Sequence, residues 1–95
     1  MARVYDQGSF YRVAISAREV CDWRDRWPCS GLGARGYSFT FDKRNGDLVD
    51  HNAPESHDGE ALVALSHDAQ AYGARKLGIA LVVDRSDPKA LELFA

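Results

Sequence analysis

The chain has 95 residues, 45% of them hydrophobic and 27% charged, with a formal net charge of −2. These are ordinary globular values: they suffice for one small core without staples and argue against extended disorder. They also exclude a global basic field that would draw in nucleic acid, and no apolar run approaches the roughly 18 residues of a membrane-spanning helix.

The whole chain, 1–95, reads as a single α+β domain. Residues 1–8 read as a loose lead-in ending at Gly8, without the apolar core of a signal peptide, so the expected location is cytoplasmic. Residues 10–15 carry the β-branched and aromatic content of a strand, with Tyr11, Val13 and Ile15 on one side and Phe10, Arg12 and Ala14 on the other. Ser16-Ala17-Arg18-Glu19 has the spacing of a capping box, which predicts a helix running to about Trp27, where Pro28 ends it. Residues 28–36 contain three glycines and a serine and read as a loop.

The clearest strand signal is the alternation Tyr37-Ser38-Phe39-Thr40-Phe41, followed by the hairpin dipeptide Asn45-Gly46. A three-residue loop with Gly46 left-handed places Phe41 opposite Val49 and Phe39 opposite His51, so that opposed residues share a face. A polar connection over 52–58 leads to a long helix over 59–77, capped by Asp58. Leu62, Leu65, Ala69 and Tyr72 form its expected buried stripe, and Glu60, His67, Gln70 and Ala74 its expected wet face. Gly78 terminates that helix behind Arg75 and Lys76. The apolar run 79–83 reads as a last strand, and Ser86-Asp87-Pro88 opens a short C-terminal helix within 85–95 that ends near Phe94.

The order βαββαβ predicts a ferredoxin-like two-layer sandwich, a four-stranded antiparallel sheet with two helices on one face. The fold is more legible than the function. Arg35-Gly36-Tyr37-Ser38-Phe39-Thr40-Phe41 resembles the RNP1 motif of RNA-recognition domains, which implies base stacking on strand aromatics. Ser38, Thr40 and Asp42 depart from that motif, and the preferred reading is an amphipathic strand whose aromatics fill the core.

Trp23-Arg24-Asp25-Arg26-Trp27 concentrates residue types enriched in binding hot spots at a helix end, and Trp23 is the side chain expected to be partly exposed. His51, His57-Asp58 and His67-Asp68 match no metal-ligand spacing. Cys21 and Cys29, at a spacing that fits neither zinc nor redox chemistry, are expected as thiols. No catalytic residue, cofactor or metal is therefore assigned.

The leading expectation is a non-enzymatic protein-binding module using Trp23, Arg26, Trp27, Arg35, Tyr37, Arg44 and Asp47 against a protein partner. Small, mildly acidic domains without an active-site signature include phage and mobile-element inhibitors such as anti-CRISPR proteins. One alternative is a single-strand nucleic-acid binder using Tyr37, Phe39 and Phe41 with Arg12, Arg35 and Arg44, which requires those rings to be exposed. Another is a small enzyme centred on Cys29. The apolar segment 90–94 either closes the core or forms a homodimer contact.

Overall fold

The computed structural model describes residues 2–22, 36–52, 59–81 and 83–94. Four antiparallel strands, β1 (Arg3–Gln7), β2 (Phe10–Ile15), β3 (Tyr37–Asp42) and β4 (Leu48–His51), form one sheet in the spatial order β1-β2-β3-β4. Helix α1 (Ala17–Asp22) lies between β2 and β3 in the chain, and α2 (Gly59–Leu77) and α3 (Pro88–Phe94) follow the sheet.

The alternation read from β2 and β3 is the alternation of the fold. Tyr11, Val13 and Ile15 are buried, as are Tyr37, Phe39 and Phe41. The register pairs Tyr11 with Phe41, Val13 with Phe39 and Ile15 with Tyr37, so the two apolar rows lie side by side. The rings of Tyr11 and Phe41 stand 5.2 Å apart. Leu65, Ala69 and Tyr72 of α2 pack onto this surface, and Leu91 and Phe94 of α3 complete the same core. Full burial of residues such as Val13, Phe39, Phe41 and Leu65 contributes roughly 1.5–3 kcal/mol each before chain entropy is subtracted.

Local signals set the element ends. The Ser16 hydroxyl accepts the Glu19 N–H at 3.2 Å, and the Glu19 carboxylate accepts the Ser16 N–H at 3.2 Å, the reciprocal pattern of a capping box. Gly78 adopts φ +70, and the bonds from Gly78 N–H to the Arg75 carbonyl and from Ile79 N–H to the Ala74 carbonyl form a Schellman motif. Asp87 caps α3 by accepting the Lys89 N–H at 3.0 Å, with Pro88 at the first helical position.

The α+β character holds, but the described element order is ββαββαα rather than βαββαβ. Residues 3–7, expected as part of a loose lead-in, form edge strand β1 paired along β2. They escape the periodicity test because an edge strand with one half-buried apolar residue, Val4, carries little alternation.

The expected last strand is absent among the described residues of 79–83. After the Schellman turn, Ile79 and Leu81 pack on the core beside α2 without joining the sheet. That segment and α3 cover a second side of α2, so Ala74 is fully buried rather than wet. The predicted first helix is described only as far as Asp22, and the cap expected at Asp58 lies outside the described residues.

At the hairpin, Gly46 has φ +76 and Phe39 faces His51 as expected. Phe41 faces Leu48 instead of Val49, because a bulge leaves Val49 as an extra residue on β4.

Candidate functional site

The β3–β4 turn is built by short bonds before it contributes any surface. Gly46 N–H donates to the Asp42 carbonyl at 2.8 Å, and Asp42 N–H donates to the Asp47 carbonyl at 2.9 Å. The Asn45 side-chain oxygen accepts the Asp47 N–H at 3.0 Å. The Gln70 side-chain amide donates to the Gly46 carbonyl, pinning the tip onto α2.

Between this tip, α2 and the segment that follows α2 lies a cleft of about 580 Å³. Arg44, Asp47 and Leu48 line it from the hairpin, His67 and Gln70 from α2, and Arg85 from the later segment. The Asp42 carboxylate accepts Arg44 Nη2 at 3.1 Å and the Arg44 backbone N–H at 2.8 Å. These bonds, the side-chain one first, hold Asp42 below the ordinary carboxylate range. They fix the root of Arg44 while its side chain stays 83% exposed.

Exposed apolar side chains border the cleft. Leu48 is 39% exposed and Val83 57%, and Val49, beside Leu48 on the edge strand β4, is 50% exposed. β4 also forms one edge of the sheet, with no hydrogen-bonded strand on its outer side among the described residues. The cleft thus joins charge of both signs to apolar area and an open strand edge.

Of the sequence-predicted site residues, Arg44 and Asp47 meet at this cleft. Tyr37 does not: it is buried in the core, because the inward row of β3 lies under the helices. Trp23, Arg26, Trp27 and Arg35 lie outside the described residues, as do His57, Asp58 and Cys29. Phe39 and Phe41 are buried with Tyr37, so the ring exposure that the RNP1-like reading requires is missing. No cluster of three or more His, Cys, Asp or Glu residues arranged to hold a metal ion occurs among the described residues. No described helix is long and apolar enough to cross a membrane.

The opposite face of the sheet has its own composition. The β1–β2 half presents Arg3, Tyr5, Gln7, Phe10, Arg12 and Ala14, the residues that alternate away from the core. The Arg12 guanidinium carbon lies 4.6 Å from the Tyr5 ring centroid, a cation–π contact across the two strands. Arg3 and Tyr5 belong to residues 1–8, expected as a lead-in but folded as edge strand β1. The available signal was Gly8-Ser9 between two β-forming runs, a two-residue hairpin loop, and Gly8 has φ +79.

Compared with known proteins, the chain matches no family, no curated protein and no solved structure.

Proposed function

We propose that the protein is a small non-enzymatic binding module that presents the β3–β4 tip and the outer edge of β4 to a protein partner. The observation that carries this reading is exposed Leu48 and Val83 lining the cleft with Arg44, Asp47 and Arg85, and exposed Val49 next to Leu48 on the edge strand β4. Interfaces are built from apolar centres with charged rims, and an open strand edge adds main-chain hydrogen-bonding capacity to a partner segment. The tip is held in place by the Gln70–Gly46 and Arg44–Asp42 bonds, so little ordering cost falls on association. Within this class, the small size and mild net acidity of the chain suit an inhibitor that occludes a cytoplasmic complex, of the anti-CRISPR kind.

The test is affinity capture from nuclease-treated host extract with wild type, Val49→Asp, Arg44→Glu and the α2 surface control Val63→Asp. A stoichiometric partner retained by wild type and Val63→Asp but lost by the other two supports the proposal. Retention of the same proteins by all four, or by none, overturns it.

A further inference from the structure

We infer that the β1–β2 half of the open sheet face binds single-stranded nucleic acid, with Tyr5 and Phe10 as stacking rings and Arg3 and Arg12 as phosphate partners. This surface lies across the sheet from the helices, uses none of the cleft residues and does not depend on the protein-binding proposal.

Charge segregation is the first support. The whole chain carries a net charge of −2, yet the six outward side chains of β1 and β2 include two arginines and no acid. Two of the acids nearby are engaged by cations. Asp6 alternates to the other face and is paired with Lys43 at 2.5 Å. Asp42 is engaged by Arg44 at 3.1 Å. Asp50 shares the open face but stands on β4, two strands from Arg12 across Thr40. Arg12 Nε is buried and has no hydrogen-bond acceptor among the described residues, so Arg12 could engage a phosphate only through its terminal nitrogens.

Ring placement is the second. Tyr5 is 37% exposed and Phe10 39%, the two exposed aromatics among the described residues. Gln7 pairs with Phe10 and Tyr5 with Arg12, which makes Tyr5 and Phe10 diagonal neighbours on one face. Diagonal pairs lie about 7–8 Å apart, close enough for consecutive unstacked bases to use both. The Arg12 guanidinium lies over one face of the Tyr5 ring, so on that side a base would stack on the guanidinium plane.

A hollow of about 500 Å³ at the end of this face is the third. Arg3 and Tyr5 form one side, Asn52 the other, and Ala14, Gly36 and Ser38 lie between them. Small side chains there let a planar base approach the sheet, with polar groups at its edge. Stacking requires bases free of a duplex, which selects a single strand.

The test is fluorescence anisotropy with labelled oligo(dT) and oligo(U) of about 10 nucleotides, within the usual span of one small binding domain. Wild type, Tyr5→Ala, Phe10→Ala, Arg3→Gln and the control Val63→Ala are compared at two salt concentrations, with circular dichroism to verify the fold. Wild type and Val63→Ala are expected to bind at low salt. Tyr5→Ala and Phe10→Ala should each weaken binding by about 5- to 150-fold, the loss of one stacked base. Arg3→Gln should reduce the slope of log affinity against log salt by about 0.7, the loss of one phosphate contact to a single strand. Binding of one oligonucleotide only supports the inference and shows which of the two strands the face prefers. No binding of either at low salt overturns it, as does unchanged binding by folded Tyr5→Ala and Arg3→Gln, or equal competition by duplex.

Discussion

Gly73 of α2 and Tyr11 of β2 meet without room for a methyl group. A Cβ on Gly73 would stand 2.6 Å from Tyr11 Cε2 and 2.7 Å from Val13 Cγ2, both in side chains that are fully buried. This glycine lets the helix lie directly on the strand. Alanine at this position would gain about 1 kcal/mol of helix propensity. The clash opposes that gain, because a buried ring and a β-branched side chain cannot swing away as the end of a flexible chain can. Overpacking of this kind costs about 1–3 kcal/mol. Gly73→Ala is therefore expected to be net destabilising by about 1 kcal/mol and Gly73→Val by more, measured by urea denaturation. A stabilised Gly73→Ala would contradict the close approach.

The same tyrosine predicts an alkaline response. Its hydroxyl donates to the Gln70 carbonyl at 3.0 Å, and burial raises its pKa from 10.0 to about 12. The folded state therefore holds the Tyr11 proton more tightly than the unfolded chain. The stability this contributes is complete below pH 10 and is lost as pH rises from 10 toward about 12. Denaturation midpoints measured across that window should fall, and the fall should be shallower in Tyr11→Phe than in wild type. Equal slopes in the two proteins would show that Tyr11 ionises as freely in the fold as outside it.

Gly46 is constrained twice. Its φ of +76 disfavours any residue with a Cβ, and that Cβ would stand 2.6 Å from the Gln70 side-chain nitrogen. Gly46→Ala must displace the amide that holds the turn to α2. A loss of about 2–3 kcal/mol is expected, the cost of left-handed strain combined with a lost hydrogen bond. Gln70→Ala should cost less, about 1 kcal/mol, since it loses the bond without the strain. Urea denaturation of both variants checks the order, and a Gly46→Ala variant as stable as wild type would remove the turn's special requirement.

The sequence made the inner strands legible because their burial on one face imposes a strict period of two, as in Tyr37-Ser38-Phe39-Thr40-Phe41. Ser16 with Glu19, Gly78 and Asp87-Pro88 were equally readable, since each works through bonds made within a few residues. What failed needed tertiary context. β1 gains its place from pairing with β2, not from its own pattern. The run 79–83 is apolar for a different reason than strand formation: Ile79 and Leu81 cover the core from outside the sheet. The cleft was half-legible, because Arg44 and Asp47 belong to a turn that sequence marks, whereas His67 and Arg85 reach it only through the return path of the chain. The open-face residues Arg3 and Tyr5 were lost with the strand that carries them.

That return path depends on one buried carboxylate. Asp68 on α2 is fully buried and accepts the N–H of Asp87 at 2.9 Å, fastening the start of α3 to the middle of α2. Asp87 in turn caps α3 through its side chain. The two aspartates therefore meet at one residue but act through different groups, a backbone amide in one case and a carboxylate in the other. Asp68→Ala leaves that partly buried amide without its acceptor, and a donor left unsatisfied there costs about 1 kcal/mol or more. Asp87→Ala removes the cap but keeps the amide, at a cost of about 1 kcal/mol. Because the cap is useful only while α3 is docked, the double variant should lose less than the two single losses added together, a coupling that neighbouring groups show. Urea denaturation of the four proteins in this cycle measures it. Strict additivity would mean that Asp68 and Asp87 stabilise separate parts of the fold, and an Asp68→Ala variant as stable as wild type would mean that α3 docks without this bond.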